Sequence, residues 1–286
     1  MDKQKYRYTK DEYNMRLNLF IKQDWLAEKD DNLNELLSNC RNNEETSLIY
    51  SLLGHFLYIK PNELFNSINI IADYIINDSG FNKHNTQILS LTHDYETDSS
   101  QWILYPLINV LHRKGWENVS SVTNWQKVPK KFNADKNQLI AIDEFIGSGK
   151  TIRNRLKELN NIINEEFEIQ LCFIAGIKQS IESLRVDQLK VFCPNILLKG
   201  ISDRHDGDDL EESKQIMLNL EENLSKVINQ KKLCDYSLGY GEAEALYSAE
   251  GCEGNTPNSV FPIFWWGKNS KNIDRKTLLT RRERGF

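Results

Sequence analysis

The apolar residues of the chain follow a helical period over roughly its first 80 positions. From Asp11 to about Cys40, and again from Leu48 and from Pro61 onward, they recur every three or four residues, as on one face of a helix. The positions that carry this pattern are Tyr13, Leu17, Ile21, Leu33, Leu37, Leu48, Leu52, Leu53, Phe56, Leu57, Leu64, Phe65, Ile68, Ile71 and Ile75. The pattern predicts a helical N-terminal subdomain over residues 1–80, whose last helix begins at Pro61.

After residue 80, short uncharged apolar runs alternate with helical patterns. We expect strands at 87–92, 139–142, 169–174 and 195–201, and helices at 102–114, 151–165, 179–190 and 208–229. Strands that alternate with helices are typical of an α/β fold with a parallel sheet and right-handed crossovers. Such a sheet binds its ligands outside the carboxyl ends of its strands. We therefore predict an α/β domain over residues 81–266, followed by a basic tail over residues 267–286.

The stretch from residue 139 to residue 151 carries the clearest chemistry. An apolar run is followed by two acids, Asp143 and Glu144, then by the loop Gly147-Ser148-Gly149-Lys150-Thr151, and then by a helical pattern. The N–H groups of such a loop and the positive end of the helix dipole converge on an anion. The sequence therefore predicts a phosphate site at this junction.

Spacing distinguishes two kinds of phosphate loop. A P-loop requires a glycine five positions before Gly149, where this chain has Glu144. The next apolar run, residues 171–177, also lacks the Asp that would hold a metal ion. The phosphoribosyltransferase loop has four apolar residues, two acids, three spacers, a hydroxyl residue, Gly, any residue and Thr, and residues 139–151 fit it at every position. The chain therefore resembles the type I phosphoribosyltransferase fold.

Two further stretches make the resemblance narrower. They are Cys40 with Leu48-Ile49-Tyr50-Ser51-Leu52-Leu53, and Gly254-Asn255-Thr256-Pro257-Asn258 with Pro262 and Trp265. With the loop, they resemble the phosphoribosyltransferase-like family found in bacterial conflict and anti-phage gene clusters, including some retron systems. This resemblance implies a core with a variable loop region over the site, which we call the hood.

The resemblance also implies roles for individual residues. Asp143 and Glu144 would be the catalytic acids, which accept hydrogen bonds from the ribose 2- and 3-hydroxyls directly or through Mg²⁺. The 5-phosphate would be held by the loop residues Gly147, Ser148, Gly149, Lys150 and Thr151. Ser99 and Ser100 would bind pyrophosphate oxygens, although serines before a helix are equally typical of an ordinary N-cap.

The remaining candidates lie in two loops. Lys127, Lys130 and Lys131 precede the acidic strand, where the resemblance implies a mobile lid and the simpler interpretation is a solvated loop. In the hood, Asn255 and Asn258 are candidates for reading a base edge, because amides donate and accept hydrogen bonds. For the nearby residues Phe261, Ile263 and Trp265 we favour a place in the core.

Composition and charge limit the other possibilities. The chain has 286 residues, a net charge of −5 and five cysteines without a C-x-x-C pair, which favours reduced thiols in a cytoplasm. We find no apolar run long enough to cross a bilayer. Residues 267–286 carry seven Lys and Arg against two acids, so this tail is the one place where contact with nucleic acid is expected.

The function that we expect is binding of phosphoribosyl pyrophosphate or a nucleotide by an effector of a bacterial defence system, with Mg²⁺ as cofactor. The effector would act at the anomeric carbon of a 5-phosphoribosyl group, in concert with a protein encoded in the same cluster. Two alternatives stay open: a non-catalytic sensor of phosphoribosyl nucleotides, and a toxin that cleaves nucleotides as an N-glycosidase. Housekeeping nucleotide salvage is less consistent with the extra N-terminal and C-terminal regions.

Overall fold

The computed structural model of the protein describes residues 9–91, 99–123, 127–128 and 136–281, without the side chains of Asp11, Ser99 and Ser100. The α-helices are α1 Lys10–Lys22, α2 Asp30–Ser38, α3 Asn43–Gly54, α4 Pro61–Asn77, α5 Ser99–Arg113, α6 Lys150–Ile162, α7 Lys178–Val186 and α8 Gly207–Glu221. The strands are β1 Leu57–Tyr58, β2 Thr86–Ser90, β3 Ser120–Val122, β4 Gln138–Ile146, β5 Glu168–Ile177, β6 Lys190–Phe192, β7 Asn195–Leu197, β8 Val227–Ile228, β9 Lys231–Lys232 and β10 Tyr247–Ser248. Short 3₁₀ helices span Asp24–Lys29, Leu233–Asp235, Glu250–Cys252 and Pro262–Phe264.

A parallel sheet in the order β3-β2-β4-β5-β6 forms the centre of the molecule. β7 continues the same edge, since β6 pairs with the first half of β5 and β7 pairs with its last three residues. Pro194 lies in the gap between them, and proline has no N–H group to donate to a ladder. The predicted α/β fold with a parallel sheet is confirmed.

Helices cover both faces of this sheet. On one face, α4 and α5 pack their apolar stripes against Ile88, Ile140, Ile142 and other strand residues. On the other face, α6 and α7 pack against the strand residues that alternate with these, such as Leu139 and Ala141. Because successive residues of a strand point to opposite faces, this alternation fixes the side on which each residue of β4 lies.

The first three helices pack elsewhere. Leucines and isoleucines of α1, α2 and α3 share a core with α8 and with the C-terminal aromatic residues. β1 also pairs in parallel with β10, which joins the N-terminal and C-terminal regions directly. Helix α4, by contrast, lies on the sheet. The predicted bounds 1–80, 81–266 and 267–286 stay a prediction, since these contacts join the three segments without testing where one ends.

Several predicted elements have different bounds: the helix expected at 179–190 ends at Val186, and the strand expected at 195–201 ends at Leu197. The strand at 139–142 continues through both acids to Ile146, because β5 offers a ladder partner along that whole length. The helix expected at 208–229 ends at Glu221, and the hairpin of β8 and β9 follows. At its turn, Asn229 and Gln230 have positive φ angles of 47° and 66°, as a type I′ hairpin turn requires. Among the described residues, no helix is long and apolar enough to cross a membrane.

Candidate functional site

The predicted phosphate loop joins β4 to α6 at the carboxyl edge of the sheet. Gly149 is the N-cap of α6 and has a φ angle of +74°, a left-handed conformation that favours glycine. No side chain caps this end of α6, and its first turn contains no acid. The first N–H groups of a helix have no partner within the helix and carry the positive end of its dipole. The junction therefore has the polarity that an anion requires.

The C-terminal segment, residues 234–281, covers one side of this loop. A Cβ atom at Gly147 would lie 1.9 Å from Ser259 Oγ, and one at Gly241 would lie 2.7 Å from Ser148 Oγ. Each glycine therefore lies against a serine side chain of the other segment, and a larger residue at either glycine would push the two segments apart. Lys150 and Thr151 stay exposed, so the loop is open on the side of the first turn of α6.

Asp143 lies on the face of the sheet that α6 covers. Its Oδ2 is 3.8 Å from Nη1 of Arg155, and its Oδ1 accepts the N–H group of Glu144 at 2.8 Å. Arg155 is only 9% exposed and belongs to the buried stripe of α6 between Ile152 and Leu159. A buried cation therefore stands beside the first acid of the predicted pair.

Glu144 points to the opposite face of the sheet. It is 2% exposed and lies against Tyr247, whose ring stacks on Phe145 at a centroid distance of 4.6 Å. Burial, and then the charge of Glu144, raise the pKa of Tyr247 well above its ordinary value. The two predicted acids therefore have different surroundings, and Glu144 is shielded from solvent by the β10 residue.

This arrangement bears on the predicted magnesium ion. Asp143 is paired with Arg155, while Glu144 faces away from Asp143, so the two carboxylates do not converge on one position. Within residues 9–91, 99–123, 127–128 and 136–281, no three His, Cys, Asp or Glu side chains form a group able to hold a metal ion. The donor set does not fit a magnesium ion held jointly by Asp143 and Glu144.

The serines predicted to bind pyrophosphate and the lysines of the predicted lid are described only in part. Ser99 is the first residue of α5, but the side chains of Ser99 and Ser100 lie outside the described residues, as do Lys130 and Lys131. Lys127 is exposed.

The two asparagines of the hood are also placed differently. Asn258 is close to the loop through its backbone, because its carbonyl accepts the N–H group of Tyr240 at 2.9 Å and Tyr240 precedes Gly241. Asn255 uses its side-chain oxygen locally, accepting the N–H group of Thr256 at 3.0 Å. The structure therefore brings the backbone of Asn258 toward the phosphate loop.

The prediction that the C-terminal aromatic residues belong to the core is confirmed. Phe261, Ile263 and Trp265 are all at most 6% exposed, and they lie in the core that α1, α2 and α3 share. The indole of Trp265 also donates to the carbonyl of Val260 at 2.9 Å.

Residues 238–244, which we call the strap, belong to the predicted hood but contain none of the predicted site residues. Leu238, Glu242 and Glu244 have positive φ angles between 47° and 55°, which is unusual for residues with side chains. The buried carboxylate of Glu244 accepts the N–H groups of Ile201 and Ser202 at 2.8 and 2.7 Å, and also the Ser202 hydroxyl. These bonds fix the strap to the loop that follows β7, beside the phosphate loop.

Arg155 and Tyr247 were missed by the sequence analysis. For Arg155 the sequence contained a signal, namely a charged residue in the apolar stripe of α6. For Tyr247 the sequence contained no such signal, because only the tertiary structure brings Tyr247 to Glu144.

A comparison with solved structures finds weak matches, of which three follow. A Neisseria gonorrhoeae hypothetical protein with bound ppGpp has 14% identity over 56% of this chain and 94% of its own, with a TM-score of 0.35. The hypoxanthine-guanine phosphoribosyltransferase of Schistosoma mansoni in complex with IMP has 12% identity over 50% of this chain and 67% of its own, with a TM-score of 0.33. A Helicobacter pylori xanthine-guanine-hypoxanthine phosphoribosyltransferase has 11% identity over 50% and 85%, with a TM-score of 0.31.

A comparison with the sequences of characterised proteins finds no match. The sequence model of the PRTase-CE family matches residues 30–281, which is most of the chain and includes the acidic strand, the phosphate loop and the strap. The chain therefore belongs to the PRTase-CE family.

Proposed function

We propose that this protein binds a 5-phosphoribosyl ligand, either phosphoribosyl pyrophosphate or a nucleotide, and acts at its anomeric carbon. The observation that carries the proposal is the junction of β4 and α6, where an uncapped helix N-terminus follows a glycine loop and a strand that contains Asp143. The 5-phosphate would accept hydrogen bonds from the loop N–H groups and from the hydroxyls of Ser148 and Thr151.

Asp143 is the residue best placed to act on the ribose. Its carboxylate would accept hydrogen bonds from the ribose hydroxyls, and these bonds would strengthen as the ring develops positive charge at the anomeric carbon. The side chain of Asp143 is only 16% exposed, so its charge is screened less by solvent than that of a surface acid. No step of this proposal uses a metal ion held by the protein, because Asp143 and Glu144 do not converge.

A defence effector that works with a protein from the same gene cluster is our proposal for the biological role. It rests on the family resemblance. The five cysteines are free thiols, which supports a reducing cytoplasm as the compartment.

The second candidate is a sensor that binds a phosphoribosyl nucleotide without turnover. The burial of Glu144 against Tyr247 favours it, since only one of the two acids remains near the phosphate loop. The shared core between the C-terminal segment and α1, α2 and α3 would then relay ligand binding to a partner.

Titration calorimetry with phosphoribosyl pyrophosphate and with nucleoside monophosphates tests the proposal. We expect the wild-type protein to bind. In a turnover assay, we expect Asp143→Asn to lose most of its activity while it keeps the fold. Asp187→Asn is the matched control, because Asp187 is exposed and pairs with Arg153 at 3.0 Å at the far end of α7. Unchanged turnover in Asp143→Asn, or no binding by the wild-type protein, would contradict the proposal.

Product analysis separates the kinds of function. Pyrophosphate release with transfer to a base indicates a transferase. Free base without pyrophosphate indicates an N-glycosidase, and binding without turnover indicates the sensor.

A further inference from the structure

Arg155 is a buried cation that no carboxylate fully satisfies. It is 9% exposed, and its nearest acid, Asp143, is 3.8 Å away, which is an ion-pair distance and too long for a hydrogen bond. Across the described residues, the Arg155 guanidinium donates no hydrogen bond. A guanidinium has five N–H donors, and a buried charge without hydrogen-bond partners is costly. An anion that reaches this position would therefore gain strong, charge-assisted hydrogen bonds.

The position of Arg155 links it to the phosphate loop. Arg155 lies in the second turn of α6, whose uncapped first turn forms one side of the loop, and its guanidinium stands beside the acid of β4. The helix N-terminus, the guanidinium and Asp143 thus supply two positive groups and one carboxylate within a single βα unit. This combination matches a ligand that has both anionic oxygens and hydroxyl groups, as phosphorylated ribose has.

We propose that Arg155 provides the positive charge at this site, so that the 5-phosphoribosyl ligand binds without a divalent cation. Arg155 donates to the anionic oxygens of the ligand and balances the charge of Asp143, whose carboxylate accepts from the ribose hydroxyls. The divergence of Asp143 and Glu144 supports metal-free binding, because it leaves a single carboxylate at the site. A carboxylate that is already paired with a guanidinium is a poor ligand for a metal ion. The inference rests on the proposed function.

The same helix offers a matched control. Lys157 lies two residues later, in the second half of α6, and its side chain is exposed. Lys157→Gln removes a cation from α6 at a position beyond the phosphate loop.

The experiment measures the affinity for phosphoribosyl pyrophosphate by equilibrium dialysis, in EDTA and in MgCl₂. We expect the wild-type protein to bind within about threefold of the same affinity in both buffers, and Arg155→Gln to bind about 10- to 100-fold more weakly in EDTA. Magnesium should restore part of the loss in Arg155→Gln. Lys157→Gln should stay within about twofold of the wild-type protein.

Arg155→Lys covers the case in which Arg155→Gln does not fold, as judged by circular dichroism. It keeps the charge but not the planar fork, so we expect an intermediate loss of affinity in EDTA. Wild-type binding that disappears in EDTA would overturn the inference, and so would Arg155 variants that bind as well as the wild-type protein. If the wild-type protein binds in neither buffer, the proposed function itself fails and this inference falls with it.

Discussion

Glu221 provides a quantitative test of how the strap is held. This residue ends α8, is 3% exposed, and accepts the Ser237 hydroxyl at 2.5 Å and the N–H group of Leu238 at 3.1 Å. Burial raises the pKa of Glu221 from its ordinary value of 4.5 to about 7, against the opposing effect of these two hydrogen bonds. The carboxyl group therefore keeps its proton in the folded protein at a pH where the unfolded chain has lost it.

The sign of the stability change follows from this difference. As the pH rises from 4.5 to 7, the unfolded state releases the proton and the folded state retains it, so the free energy of unfolding falls. Above pH 7 both states are ionised and the cost is constant. The difference between the two pKa values corresponds to about 3 kcal/mol at most. Glu221→Gln carries no charge, so this part of the pH dependence should vanish.

Urea unfolding followed by tryptophan fluorescence at pH 5 and pH 8 measures the effect. We expect the difference in free energy of unfolding between Glu221→Gln and the wild-type protein to shift in favour of the variant by about 2–3 kcal/mol from pH 5 to pH 8. Glu222→Gln is the control, because Glu222 is the exposed neighbour in the chain. An equal pH dependence in Glu221→Gln and the wild-type protein would refute the assignment of a raised pKa to this buried group.

Three further substitutions test the contacts around the loop. Gly241→Ala places a Cβ atom against the phosphate loop, at a residue whose φ angle is +69°. We expect it to lower the free energy of unfolding, measured by urea unfolding, by about 1–3 kcal/mol and to weaken ligand binding. Gly267→Ala is the control, because Gly267 has open space around it and we expect neither effect there. Glu244→Ala leaves the buried N–H group of Ile201 and the partly buried N–H group of Ser202 without their acceptor, and it should cost about 3 kcal/mol in the same assay. Tyr247→Phe should lower the free energy of unfolding by about 1–3 kcal/mol. The double variant Tyr247→Phe/Glu144→Gln should lose less than the sum of the losses of the two single variants, because the two side chains interact. Additive losses would contradict this interaction.

Local patterns were sufficient to predict the parts of the fold that local physics determines. The loop from Gly147 to Thr151 was readable because glycines, a hydroxyl residue and a helix start occur together at fixed spacing. The parallel sheet was readable because its strands are buried on both faces and appear as continuous apolar runs. The N-terminus of α4 was equally plain, since Pro61 opens the helix and Glu63 accepts the N–H group of Lys60 at 2.9 Å.

The orientation of the acids could not be predicted from these patterns. Adjacent acids after an apolar run look alike in sequence, but β4 continues through Asp143 and Glu144, and the pleat of a strand sends them to opposite faces. Their partners come from different parts of the chain, Arg155 from the following helix and Tyr247 from a strand 103 positions after Glu144. Only the folded arrangement shows which acid stays near the loop.

The strap shows why the regions outside the βα core matter to the site. Its segment includes several left-handed residues, and such conformations persist only where the surroundings hold them. Two buried carboxylates hold the strap in this conformation, Glu221 at its start and Glu244 at its end.

The C-terminal segment that carries the strap is in turn held by the N-terminal helices. Lys29 forms an ion pair with Glu250 at 2.7 Å and donates to the carbonyl of Leu278 at 3.1 Å, while Asn32 donates to the carbonyl of Thr277 at 2.7 Å. Since the strap touches Ser148 in the phosphate loop, a change in the packing of α2 or α3 has a continuous path of contacts to the site. A partner that binds the N-terminal helices would therefore act on the loop that we propose binds the ligand, and ligand binding would by linkage alter the affinity for that partner by the same factor.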